Sequence, residues 1–224
     1  MFPIKDENPT KTIPFFTILI ILANSFVFYR EITSIDMEKM VFNYGLIPKE
    51  FIQNINHLKI VDSTFALFSS MFLHGGFFHI ISNMWFFWIF GNNVEDALGH
   101  FRFLIFYLLC GIGAGLSQII MNPNSQIPMV GASGAISGVL GAYFLLFPGA
   151  RILTLVILFY FIRTVYIPAG MFILFWFLMQ VISSFTVNPE TGGIAWYAHI
   201  GGFLTGVFLC GLFVRKKVRR RLFS

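Results

Sequence analysis

Ser133 and His199 have the clearest capacity for chemistry in this 224-residue chain, because each is a polar residue set among glycines in a strongly apolar stretch. Ser133 lies in Gly131-Ala132-Ser133-Gly134, and His199 in Ala198-His199-Ile200-Gly201-Gly202. A serine hydroxyl is a poor nucleophile until a base accepts its proton, and imidazole is the side chain best matched to that task near neutral pH. The pair therefore points to a nucleophile and its base held within a membrane. A serine at a helix start also stands beside unpaired backbone N–H groups and the positive end of the helix dipole, which suits a developing oxyanion. His79 and Asn83 are one helical turn apart, so they share a face, and both can donate hydrogen bonds. They are the candidate oxyanion donors. His74, His79 and His199 could also be weighed as metal ligands, but the chain has no His-Glu-x-x-His helix and no acidic residue joins these histidines. No metal and no cofactor is expected.

The composition says which solvent these residues occupy. Hydrophobic residues make up 57% of the chain and charged residues 11%, with a mean hydropathy of +0.78. An average soluble domain is about 25% charged. The chain reads as one integral membrane domain over residues 1–224, with an all-α bundle of six transmembrane helices near 13–29, 77–94, 101–121, 131–147, 167–185 and 196–214. The apolar piece at 151–163 is about half the length a crossing helix needs, which predicts an interfacial or re-entrant segment. Cys110 and Cys210 sit in apolar runs and read as small core residues. The first apolar run is too long for a cleaved signal and is expected to be retained.

The glycines say how the chemistry is assembled. Gly131, Gly134, Gly138 and Gly141 crowd one predicted span, and Gly201, Gly202 and Gly206 crowd another. Glycine in a membrane helix permits close backbone approach. If the two glycine faces meet, Ser133 and His199 come within hydrogen-bond reach.

Orientation follows from basic residues, which concentrate in short cytoplasmic loops. The run Arg215-Lys216-Lys217-Val218-Arg219-Arg220-Arg221 puts the C-terminus inside. Counting back through six spans puts the N-terminus, Arg102 and residues 151–163 inside too. Residues 122–128 and 186–193, which contain no Lys or Arg, then fall outside. The external connection from Arg30 to His74 carries four basic and five acidic residues and suits short helices in the headgroup layer. The C-terminal charge reads as topology and anionic-lipid contact, not nucleic-acid binding.

Gly131-Ala132-Ser133-Gly134, Ala198-His199-x-x-Gly202 and His79-x-x-x-Asn83, in the order second, fourth and sixth span, resemble the rhomboid intramembrane serine proteases. The resemblance runs from about residue 65 to 211. It implies a six-helix fold with a Ser133–His199 dyad opening outward through a water-filled cavity, and an oxyanion hole of His79, Asn83 and the Ser133 N–H. It further implies cleavage of single-span membrane proteins, in or near their transmembrane segments. Glu95 with Asn92-Asn93-Val94, read as a turn, resembles the family's polar end of the second helix. Family members often carry an aromatic residue one turn after the nucleophile, against the histidine; Ser137 stands there in this chain, so another contact must hold the imidazole. The Trp-Arg pair of many members is missing between residues 30 and 74. Residues 186–193, with Pro189, Gly192 and Gly193, are expected to form the mobile cover. The alternative is a rhomboid-like protein that binds transmembrane clients without cutting them. A small transporter would predict an internal repeat, and none is visible. The form suggests a prokaryotic inner membrane with both termini cytoplasmic, while oligomeric state stays open.

Overall fold

The computed structural model describes residues 1–158, 160–186 and 193–215. Helix α1 (Phe15–Ile32) starts directly after Pro14 and is followed by three short helices, α2 (Met37–Tyr44), α3 (Pro48–Asn56) and α4 (Ile60–Ser69). Asp36 caps α2 by accepting from the Lys39 N–H, and Pro48 opens α3, where a missing N–H costs nothing. Helices α5 (Phe77–Leu98) and α6 (His100–Met121) meet at Gly99, whose φ of +90° lets the chain reverse within one residue. Then come α7 (Ser133–Leu146), α8 (Ala169–Thr186) and α9 (Trp196–Phe213). The six expected spans thus correspond to α1 and α5 through α9, with ends shifted by a few residues. Residues 92–94, expected as a turn, continue α5 as helix.

Among the described residues, four helices, α1, α6, α8 and α9, are long and apolar enough to cross a membrane. With 14 residues, α7 rises only about 21 Å. That is shorter than a hydrocarbon core of about 30 Å. On its own α7 is too short to reach both surfaces of such a core.

The expectation of an all-helical chain is corrected by a three-stranded antiparallel sheet, β1 (Phe2–Asp6), β2 (Arg151–Leu158) and β3 (Phe161–Pro168), in that order. Residues 151–163, expected as an interfacial or re-entrant segment, form most of a β-hairpin whose register runs from Arg151↔Pro168 to Leu158↔Phe161. β-Branched and aromatic residues dominate both strands, which favours extended backbone over helix. A two-stranded hairpin alone is marginal, and β1 supplies the third strand by pairing Phe2 with Leu155 and Asp6 with Ile152. The sheet is pinned to the bundle at several points. Trp85 Nε1 donates to the Pro3 carbonyl, while Asp6 accepts from Asn93 Nδ2 at 2.7 Å and from the Tyr143 hydroxyl at 2.8 Å.

Contacts between helices fix their directions. Gly134 meets Gly202 and Gly138 meets Gly206, so α7 and α9 run parallel, whereas α6 runs against both, with Cys110 at Gly138 and Ala114 at Gly134. Glu95 accepts from the N–H groups of Phe16 and Thr17 and from the Thr17 hydroxyl, and thereby serves the free N-terminal donors of α1. The same carboxylate lies 2.6 Å from His100 Nδ1. At the other end of α1, Glu31 accepts from the His74 N–H. The N-terminal segment, Gly99, the hairpin base and Arg215, whose N–H faces the Ala97 carbonyl, therefore share one end of the bundle. The core lies between the two ends, around the fully buried Phe87, Phe90, Phe103, Phe106, Tyr107 and Tyr143.

Candidate active site

The site is built where α7 begins. Adding a Cβ to Gly202 would drive it onto the Gly134 carbonyl, and one on Gly206 would strike that of Gly138. Side chains at these positions would force the helices apart. Without them, Ser133 on the first turn of α7 meets His199 on the first turn of α9, with Oγ to Nε2 at 2.8 Å. This is the contact expected from the glycine faces.

Asn83 and His79 close the pocket from α5. Asn83 is 6% exposed, and its Nδ2 is buried with no partner among the described residues. A buried donor left open is costly in a finished protein and is accounted for if a bound ligand supplies an acceptor. Gly131 sits at φ +122°, and a Cβ there would lie 2.7 Å from His79 Nε2 and 3.6 Å from Asn83 Nδ2. The two candidate donors thus converge on a point that glycine leaves vacant. The Gly75 N–H approaches His79 Nδ1 at 3.4 Å, a long contact that assigns Nδ1 as acceptor and leaves Nε2–H to donate. Ser133 opens α7, so its own N–H has no carbonyl a turn earlier to bond.

Behind His79 lies His74, fully buried, with ring centroids 5.1 Å apart. Burial, with His79 as a lesser contributor, pushes the His74 imidazole down to about 3, so it is neutral at physiological pH. The missing aromatic residue has a different answer at Ser137, whose hydroxyl donates to the Ser133 carbonyl at 2.6 Å. His199 is held instead from α8. Its Nδ1 lies 2.8 Å from Gln180 Oε1, with Trp176 tilted against the ring at 6.0 Å and Trp196 edge-on at 6.3 Å. Gln180 escapes a motif reading because it is 19 residues from His199. Its signal was simply a polar residue inside an apolar helix.

A cavity of about 630 Å³ connects these groups, with Ser133, His199, His79, Asn83, Ser82 and Gln118 on its polar side and Phe78, Phe86 and Trp176 on its apolar side. Gly193, Ile194 and Ala195 also border it. The expected cover falls mostly on residues 187–192, outside the described residues.

A helical membrane protein with a serine and a histidine joined over an interior cavity is the class that fold and site define. The chain belongs to the rhomboid family: the family model described as Rhomboid domain matches residues 62–216. Rhomboid protein 1, mitochondrial, of Saccharomyces cerevisiae is 31% identical over 194 residues, 81% of this chain and 52% of that protein. RHOMBOID-like protein 5 of Arabidopsis thaliana is 30% identical over 143 residues, covering 64% and 42% respectively. Rhomboid protease GluP of Bacillus subtilis is 32% identical over 143 residues, covering 63% and 24%. The chain spans about half or less of the length of these relatives.

Proposed function

We propose that this chain is an intramembrane serine endopeptidase that cuts single-span membrane proteins in or near their transmembrane segments, using Ser133 and His199. The observation that carries the reading is the 2.8 Å contact from Ser133 Oγ to His199 Nε2 on the wall of the cavity. In the reaction, His199 Nε2 takes the proton as Ser133 Oγ attacks a peptide carbonyl. The resulting oxyanion accepts from His79 Nε2–H, Asn83 Nδ2 and the Ser133 N–H. Collapse breaks the peptide C–N bond, and protonated His199 gives its proton to the leaving amine. Water, deprotonated by His199, then releases the acyl group from Ser133. The polar wall of the cavity supplies a place for that water inside the membrane.

Six crossings, by α1 and α5 through α9, suit this reading, with α7 recessing Ser133 below one surface. The end of the bundle holding Lys5, Lys11, Arg102, Arg151 and Arg215 is assigned to the cytoplasmic side or its equivalent. Relatives with a mitochondrial name and a bacterial source both match, so similarity does not select a prokaryotic inner membrane.

The test uses the purified chain with a fluorophosphonate probe and a single-span model substrate. Wild type is expected to label and cleave, and Ser133→Ala and His199→Ala to do neither. A wild type that binds the substrate but neither labels nor cleaves refutes the protease and favours the client-binding alternative.

A further inference from the structure

Gln180 makes two hydrogen bonds that together determine the state of the base. Its Nε2 lies 3.2 Å from the carbonyl of Trp176, one turn earlier on α8, and a carbonyl can only accept. The amide nitrogen is therefore committed to Trp176, and the amide oxygen is the atom 2.8 Å from His199 Nδ1. An amide oxygen can only accept as well, so Nδ1 must carry a hydrogen. In a neutral imidazole that leaves Nε2 with the lone pair, and Nε2 is the atom 2.8 Å from Ser133 Oγ. Each bond dictates the next, from a backbone carbonyl to the nucleophile. Gln180 is 6% exposed, so water does not compete readily for either end of the amide.

We infer that Gln180 is a positioning residue that locks His199 in the Nδ1–H tautomer and aims Nε2 at Ser133, making a neutral third member of a Ser133–His199–Gln180 relay. The inference rests on the protease reading and goes beyond the two-residue dyad that the family resemblance implied. It accounts for Ser137 as well. With the imidazole gripped from α8, no aromatic ring is required one turn after the nucleophile, and Ser137 is free to bond the Ser133 carbonyl. The amide differs from a carboxylate in one chemical respect: it orients the ring without contributing a full negative charge opposite the imidazolium. Trp176 joins the two functions, because its carbonyl fixes the amide while its ring lies against His199.

The experiment compares wild type, Gln180→Met and Gln180→Glu in steady-state cleavage of the single-span substrate, with thermal unfolding of each variant in detergent. Gln180→Met keeps the size but removes the acceptor. It is expected to lower kcat by about 10- to 100-fold, by analogy with the loss of a partner that orients a metal-bound histidine, with KM unchanged. Gln180→Glu restores an acceptor oxygen and is expected to recover most of kcat. Wild-type kcat in Gln180→Met overturns the inference while leaving the protease standing, as does equal loss in both variants with a matching fall in unfolding temperature. A wild type that neither labels nor cleaves overturns the protease reading, and the relay with it.

Discussion

At the scale of single residues, the site depends on what glycine omits as much as on what serine and histidine supply. Gly131 keeps open the point on which His79 and Asn83 converge, and its φ of +122° is one that L side chains rarely adopt. Gly131→Ala would place a methyl group where the oxyanion belongs and add backbone strain of about 1–3 kcal/mol. The expected result is a kcat about 100-fold lower, comparable to losing an oxyanion donor. Wild-type kcat in a folded Gly131→Ala would show that the oxyanion forms elsewhere. His74 makes a different prediction, about pH. Its imidazole is held at about 3 against an ordinary 6.5, so the unfolded chain binds a proton that the folded chain refuses. Stability is therefore full above pH 6.5 and falls as pH drops from 6.5 toward 3, by about 2 kcal/mol between pH 6.5 and 5. Unfolding of wild type and His74→Phe in detergent at pH 7 and 5 checks this. A pH dependence unchanged in the variant would assign the effect to another group. At this scale the residues that line the pocket, Ser133, His199, His79 and Asn83, were legible, because polar residues in apolar spans are conspicuous. Gln180 was equally polar, but its contact with His199 comes from α8 packing onto α9, which no spacing in the chain encodes.

At the scale of elements, the glycine faces of α7 and α9 behave as their spacing predicts, and the sheet does not. Gly206 lies against the Gly138 backbone, which cannot swing aside as a side chain can. Gly206→Leu is expected to destabilise by about 1–3 kcal/mol or more and to abolish cleavage by parting Ser133 from His199. Gly211, on the same helix with open space around it, provides the control. Gly211→Leu should leave both stability and cleavage unchanged, and equal damage from the two substitutions would mean that helix propensity, not packing, is at work. The hairpin was missed because a short apolar run does not reveal by periodicity whether it is strand or helix. Its length argued against a crossing helix, but the decisive partner, β1, lies about 150 residues away in the chain. The anchors of that strand are equally remote, since Asp6 reaches Asn93 on α5 and Tyr143 on α7.

At the scale of the whole molecule, the contacts make topology a single testable statement. Helices α1, α6 and α8 run one way and α5, α7 and α9 the other, so every connection belongs to one of two ends. Residues 33–76, 122–132 and 193–195 lie at the end where Ser133 and His199 meet. The N-terminal segment, Gly99, the α7–α8 connection and Arg215 lie at the other. Cys110 and Cys210, the chain's two cysteines, are buried, so single cysteines placed at exposed positions can be read against a silent background. Lys11→Cys should react with a membrane-impermeant maleimide only from the basic end, and His57→Cys and Asn124→Cys only from the end bearing the site. In sealed inverted vesicles the first labels and the other two do not; in right-side-out vesicles the pattern reverses. Labelling of all three from one side would break the arrangement of six crossings. Labelling of each from the side opposite to that expected would keep the crossings but reverse the orientation, and would move the cavity mouth to the cytoplasmic face. Under the protease reading that distinction is functional, because it decides from which side of the membrane water and substrate reach Ser133.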